Sequence, residues 1–231
     1  MNGLSTLPSG GFFMKKRAIL FVNGEIGNFA PIEKLITEKT CAIAVDGGLR
    51  HLLALKITPD LLIGDLDSVS TEQVDLLTRQ GVELLRFPVE KDETDLELAL
   101  LETARRGYHE IYLAGALGGR VDQTLANLFL LLLPELVGSK VVVIGDDQEL
   151  FMIRDQAQIS GLPGDIISLI PLDEQVNEVT TSGLDYPLST ATLYREHSRG
   201  ISNMMNSTMA SVKLSQGNLL CVHSWTNRED K

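Results

Sequence analysis

Leu61-Leu62-Ile63-Gly64-Asp65-Leu66-Asp67-Ser68 runs from a short apolar stretch into a pair of aspartates, and Thr71 to Arg79 then carries apolar residues at helical spacing. Strand, acidic exit and helix follow in immediate succession. The same order recurs elsewhere. Asp46-Gly47-Gly48 follows Cys41–Val45 and precedes Leu49–Leu55, and Lys91-Asp92-Glu93-Thr94-Asp95 follows Val82–Leu85 and opens Leu96–Arg106. Gly118-Gly119-Arg120-Val121-Asp122-Gln123-Thr124 follows Ile111–Ala114 and opens Val121–Leu133. With strands at Ala18–Val22 and Lys140–Ile144 and a helix at Ile32–Glu38, this alternation predicts an α/β fold with a mostly parallel sheet and flanking helices. Open sheets of this kind bind ligands outside the carboxyl ends of their strands, so the acidic exits are expected to meet in one cleft.

Beyond Gly145-Asp146-Asp147 the texture changes to short alternating runs broken by Gly, Pro, Asn and Ser. A smaller all-β sandwich domain is expected over residues 146–231, after an α/β domain over 15–145. In Ala210 to Gly217, Val212 and Leu214 are expected to face a core and Ser211, Lys213 and Ser215 water, with Gln216-Gly217-Asn218 turning the chain back into Leu219–Val222. Residues 1–14, rich in Gly and Ser, read as a disordered leader, with Met14 a second candidate start.

The chain's 231 residues carry a net charge of -11, which argues against broad attraction to nucleic acid or anionic lipid. A polyanionic nucleotide can still bind among aspartates where divalent cations lie between the two sets of charge. Met14-Lys15-Lys16-Arg17 with Ala18–Val22 imitates a secretory signal, but the apolar run ends at Asn23-Gly24-Glu25, too early for a signal core. No stretch reaches the roughly 20 apolar residues of a membrane span. Cys41 and Cys221 lack metal-ligand spacing and read as buried free thiols, which suits a cytoplasmic location. His51, His109, His197 and His223 form no sequence cluster and are expected to be structural or surface residues.

Each acidic motif has an ordinary alternative. Asp65 and Asp67, with Gly64 permitting a bend, offer hard oxygens to Mg²⁺, though a solvated turn would look the same. Thr94-Asp95-Leu96-Glu97 is a capping box, yet Lys91 and Asp92 stand outside the same helix end, where phosphate oxygens bind. Gly118 and Gly119 allow close backbone approach to a ligand, and Arg120 can fork onto a phosphate. Neither a P-loop nor a dinucleotide fingerprint occurs.

In this order, Asp46-Gly47-Gly48, Pro59 to Ser68, Phe87-Pro88 with Lys91 to Asp95, and Gly118 to Asn127, the chain resembles the thiamine pyrophosphokinase family from about Ala18 to Ser224. The resemblance implies transfer of pyrophosphate from ATP to the thiamine hydroxyl and a homodimer whose thiamine sites are shared between subunits. It implies Asp65, Asp67 and Asp95 as Mg²⁺ ligands, with Asp92, Thr94, Arg120 and Asp122 along the ATP phosphates and the reacting hydroxyl. Asp122 would orient the hydroxyl or take its proton. Asp46, Gly47, Lys91, Gly118, Gly119, Gln123 and Asn127 would complete the nucleotide side. Tyr186, Ser202 and Asn203 would lie on the thiamine side, although Met204-Met205-Asn206-Ser207 departs from the family's pattern. Gln123 stands where many bacterial members have His. The motifs constrain the acceptor poorly, so a pyrophosphokinase for another small alcohol, such as a pterin, or a non-catalytic thiamine- or nucleotide-sensing module are the competing readings.

Overall fold

A computed structural model describes residues 16–67 and 69–225; the leader expected at residues 1–14 lies outside them. Six strands, β1 (Lys16–Phe21), β2 (Thr40–Val45), β3 (Leu61–Gly64), β4 (Glu83–Arg86), β5 (Tyr108–Ala114) and β6 (Lys140–Ile144), pair in parallel in the order β6-β5-β1-β2-β3-β4. Successive residues of each strand point to opposite layers, so apolar runs without polar alternation serve two cores at once. Ala18 and Leu20 join one cluster with Leu96, Ala99 and Leu100 of α4 (Asp95–Arg105). Ile19 and Phe21 join the other with Leu49 and Leu52 of α2 (Leu49–Ala54) and Leu77 of α3 (Thr71–Arg79).

Two helices are shorter than their periodicity predicts. The expected helix at Ile32–Glu38 is the single turn α1 (Ala30–Glu33). Past it, Thr40 Oγ1 donates to the Leu35 carbonyl (2.9 Å) and contacts Thr37 Oγ1 (2.9 Å), so hydroxyls take over the backbone pairing. The expected helix at Val121–Leu133 is α5 (Val121–Phe129) followed by a 3₁₀ turn over Leu130–Leu132. Leu133 precedes Pro134 and is forced out of the helical region (φ -51°, ψ 129°).

After β6 the chain turns at Gly145 and β7 (Gln148–Ile153) pairs antiparallel with β6. Next come β8 (Gln156–Ser160), β9 (Ile166–Pro171), β10 (Gln175–Ser182), β11 (Ala191–Tyr194), β12 (Asn203–Met204), β13 (Met209–Lys213) and β14 (Leu219–Ser224). β7, β14, β9 and β12 extend the first sheet to ten strands, while β11-β10-β13-β8 form a separate sheet of four. Ile153, Ile167, Leu169, Leu219 and Cys221 from the first meet Val176, Val179, Leu193, Ala210 and Val212 from the second. The β sandwich expected from the sequence thus shares one layer with the α/β sheet.

Val212 and Leu214 are buried and Lys213 and Ser215 exposed, as their alternation predicts. Gln216-Gly217-Asn218, however, closes no hairpin. β13 pairs with β8 and β10, whereas β14 pairs with β7 and β9, so the turn carries the chain between sheets. The Asn218 amide and its backbone N–H both bond the Asp173 carboxylate, which anchors this crossing.

Candidate active site

β1 to β4 build the sheet in one direction and β5 and β6 in the other, so the strand order reverses between β1 and β5. The loops leaving these two strands diverge there and open a crevice. A cavity of ≈ 240 Å³ lies at this point, lined by Asn23 and Gly24 after β1, Asp46 after β2, Thr94 and Asp95 at the start of α4, and Gly115, Ala116, Gly118, Gln123 and Asn127 after β5. Gly24 N donates to the Gly115 carbonyl (2.9 Å), locking the two exits together.

The acidic exits after β2 and β3 converge. Carboxylate oxygens of Asp46, Asp65 and Asp67 all lie within 4.8 Å of one another. Asp46 has φ 46° and Leu66 φ 64°, so both turns use left-handed backbone at non-glycine residues, a strained arrangement typical of functional turns. Gly64 makes the approach possible: a Cβ there would stand 3.1 Å from that of Asp46. The Asp67 N–H donates to Asp65 Oδ1 (3.0 Å). Asp67 is held above the usual carboxylate pKa, first by a hydrogen bond with the Asp65 carboxylate, then by the charge of Asp65, with Asp46 and Asp95 adding to it. Crowded hard oxygens that resist ionising together are the donor set a small divalent cation satisfies.

Asp95 stands nearby but is engaged by Lys91, whose Nζ donates to Asp95 Oδ1 (2.8 Å) and to the Pro88 carbonyl (3.1 Å). Thr94 caps α4 by accepting from Glu97 N (3.2 Å). The reciprocal capping box forms elsewhere, between Ser70 and Gln73 at the start of α3, a position the sequence reading passed over. Asp92 is exposed beside this helix end.

Arg120 forks onto Asp122, with Nε–Oδ1 3.1 Å and Nη2–Oδ2 2.5 Å, and this contact draws the Asp122 pKa below the ordinary carboxylate value. Both side chains are exposed, outside the cavity wall. Gly118 and Gly119 have φ 83° and 66°, with nothing within 4 Å of a notional Cβ, so open space for a ligand lies against their backbone. Asn127 Nδ2 donates to the Ala116 carbonyl (2.9 Å) and Thr124 Oγ1 to that of Gly118 (3.1 Å), tying α5 to its loop. Gly47 packs against the Asn23 side chain.

Several supports escaped the sequence reading. Arg50 Nη2 donates to the carbonyls of Asn23 (2.8 Å) and Gly24 (3.0 Å), and His51 Nε2 lies 2.8 Å from the Gly24 carbonyl. Burial pushes the His51 pKa down, so the ring is a neutral structural donor, as expected of the histidines generally. Asp146 accepts from Gly27 N and Asn28 N (both 3.0 Å), pinning the β1 loop from the end of β6. Gly145-Asp146-Asp147 is another acidic strand exit, and that pattern was the available signal.

Tyr186, Ser202 and Asn203 lie elsewhere. Asn203 Oδ1 accepts from Tyr186 N (3.1 Å) and its Nδ2 donates to Tyr186 O (2.7 Å), while Tyr186 as a residue is 77% exposed. Ser202, at φ 56°, donates its N–H to Ser168 Oγ (3.0 Å). β12 is six strand spacings from β1 in the sheet order, roughly 29 Å at the usual interstrand distance.

Residues 32–143 match the family model for the thiamin pyrophosphokinase catalytic domain, and residues 153–219 match that for the thiamin pyrophosphokinase vitamin B1 binding domain. The chain belongs to the thiamine pyrophosphokinase family. Among family relatives, thiamine pyrophosphokinase of Bacillus subtilis is 28% identical over 81% of this chain and 88% of that protein. Thiamine pyrophosphokinase 1 of Arabidopsis thaliana is 26% identical over 74% of this chain and 73% of that protein. The crystal structure of the Bacillus subtilis enzyme superimposes with a TM-score of 0.82 at 26% identity, covering 92% of this chain and all of the other. Yeast thiamin pyrophosphokinase, at 18% identity, shares the fold with a TM-score of 0.73.

Proposed function

We propose that this chain transfers the pyrophosphoryl group of ATP to the hydroxyl of thiamine, giving thiamine diphosphate and AMP. The observation that carries this reading is the convergence of Asp46, Asp65 and Asp67 beside the crevice at the strand-order reversal, within a thiamine pyrophosphokinase fold. Residues 15–145 would serve the nucleotide and 146–231 the thiamine.

Asp46, Asp65 and Asp67, with Asp95 adjoining, would hold Mg²⁺, which supplies charge neutralisation to the phosphates. The remaining work is positioning and charge stabilisation, the main demand of phosphoryl-type transfer. The N-termini of α4 and α5 direct backbone N–H groups and positive dipole ends at the crevice. Lys91 would exchange Asp95 for a phosphate oxygen, and Arg120 would exchange Asp122 likewise. Asp122, so released, would orient the thiamine hydroxyl and accept its proton late as the oxygen attacks the β-phosphorus and AMP departs. Asp92, Thr94, Gly118, Gly119, Gln123 and Asn127 would frame the nucleotide.

Tyr186, Ser202 and Asn203 would contact thiamine bound to a second copy of the chain. The roughly 29 Å between β12 and β1 supports a homodimer in which each acceptor site joins the β half of one subunit to the crevice of the other. A thiazolium cation suits an acidic crevice, and free thiols suit a cytoplasmic enzyme.

Incubation with ATP, Mg²⁺ and thiamine, followed by phosphorus NMR, tests the reading. A diphosphate ester appearing with AMP is the expected outcome. ADP with a monophosphate ester, or AMP formed only with a pterin alcohol, would reject it.

A further inference from the structure

His223, buried in β14, lies between two carboxylates. Its Nδ1 is 3.2 Å from Glu149 Oε1 on β7, and its Nε2 is 3.3 Å from Asp165 Oδ2 in the turn before β9. A carboxylate only accepts and a neutral imidazole carries one N–H, so only the imidazolium donates to both. Asp165 is 2% exposed, a position in which a carboxylate needs a cation or several donors. Among the described residues, Glu149 and Asp165 are the charged groups that act on His223, while Ile167 faces it across the ladder from β9 and Trp225 meets it edge-on at 5.8 Å between ring centroids. Cys221, two residues along the same strand, keeps a neutral thiol, because burial and then the Glu149 charge push its pKa up. Gly161 allows the close packing, since a Cβ there would stand 3.0 Å from His223 Nε2, 2.8 Å from Asp165 Oδ2 and 2.7 Å from the Met205 sulfur.

Asp165 connects this pair to the loops assigned above to thiamine. Its carboxylate also accepts from Leu162 N (2.8 Å), closing the turn, and its carbonyl accepts from Met205 N (2.8 Å). Met205 bridges Leu184, the Met204 carbonyl accepts from Asp185 N (2.9 Å), and Asn203 clamps the Tyr186 backbone. A continuous series of hydrogen bonds and bridges therefore runs from His223 through Asp165 and residues 203–205 to Tyr186.

We propose that His223, as an imidazolium held between Glu149 and Asp165, is a positioning residue that sets the geometry of the Leu184–Tyr186 and Ser202–Met205 loops and thereby the affinity for thiamine. The proposal rests on the reading of those loops as the acceptor side. Burial alone lowers the pKa of His223, but the hydrogen bonds to Glu149 and Asp165 outweigh it, and the net shift is upward. A group raised in this way contributes stabilisation that is complete below its ordinary pKa and disappears as pH climbs through the raised value. Loosening of the loops is accordingly expected on the alkaline side.

The test uses the whole chain. Trp225 is the only tryptophan and meets the imidazole edge-on, so its fluorescence should titrate with His223, and His223→Gln should abolish that transition. As pH is raised from below the ordinary histidine pKa into the alkaline range, the wild-type KM for thiamine should rise several-fold along the same curve. In His223→Gln it should be high and flat, with kcat and the KM for ATP following the wild-type profile. Glu149→Gln keeps an acceptor but removes a charge, and should move both transitions to lower pH. A thiamine KM indifferent to both substitutions overturns the positioning role, while a wild type that forms no AMP with thiamine overturns the functional reading beneath it.

Discussion

Lys91, in the loop ahead of α4, closes on Asp95 at the helix's first position, Nζ to Oδ1 2.8 Å, with both side chains largely shielded. The lysine thus neutralises a carboxylate at the mouth of the crevice, and the proposed function has a phosphate oxygen take that carboxylate's place. An ion pair of this kind contributes only about 0–1 kcal/mol to stability, whereas a lysine–phosphate contact in a partly dry site is larger. Lys91→Met should raise the KM for ATP about tenfold or more while the melting temperature stays nearly constant. An unaltered KM would confine Lys91 to closing a helix end.

Removing one charge from the acidic trio separates catalysis from stability. Asp46→Asn, Asp65→Asn and Asp67→Asn should each lower turnover by about 100-fold or more and weaken Mg²⁺ binding in calorimetry. Relief of like-charge crowding should leave the melting temperature equal or slightly higher. Full activity at saturating Mg²⁺ in Asp46→Asn would take that residue out of the site.

Away from the site, Glu102 receives Arg105 (Nε 2.6 Å) and Arg106 (Nε 2.6 Å), and Arg106 also forks onto Glu83. Arg105, despite its exposure, contributes most, followed by Arg106, and together they draw the Glu102 carboxyl from 4.5 to about 2. The depressed value means that stabilisation is present above the unfolded-state pKa and is lost as pH falls from there toward about 2. With solvent screening, Glu102→Gln should cost about 1 kcal/mol at neutral pH, and thermal melts in acid should show the difference closing. A constant difference across that range would assign the loss to packing.

Among the described glycines, Gly48 is the one where an added methyl group meets backbone most closely. A Cβ there would sit 1.8 Å from the Phe21 carbonyl oxygen, at the start of α2 and beneath the β1 exit. Gly48→Ala should therefore cost about 1–3 kcal/mol or more in chemical denaturation, and activity should fall as the Asp46 turn shifts. A wild-type midpoint would mean that the exit relaxes freely.

What the sequence disclosed depends on how local each cause is. Apolar runs such as Ala18–Val22 and Ile111–Ala114 mark buried strands through their own composition, and Thr71–Arg79 marks its helix to the residue. Asp65 and Asp67 were legible for the same reason: a short motif at a strand end carries its meaning within a few residues. Asp146, Arg50 and His51 were not, because their task is to hold the Asn23–Asn28 loop, and that loop becomes their neighbour only after the sheet has ordered β6, β5, β1 and β2 side by side. The Gln216–Asn218 turn failed for a related reason: a glycine turn between alternating runs specifies reversal, while the choice between pairing in one sheet and crossing to another belongs to Asp173, more than 40 residues earlier by the 45-residue separation of the Asn218 contact. The His223 pairing spans 58 and 74 residues and leaves no spacing signature at all.

The pairing of Val142, Val143 and Ile144 with Phe151, Leu150 and Glu149 makes one uninterrupted ladder of the strands on either side of Gly145. A cut at that glycine would bare a full row of amide and carbonyl groups on each fragment, the kind of surface that seeks another strand and precipitates. Swapping the acceptor half for one with different selectivity would thus require a graft whose first strand continues the β6 ladder in the same register, a constraint that ties any change of substrate to the backbone of the nucleotide half.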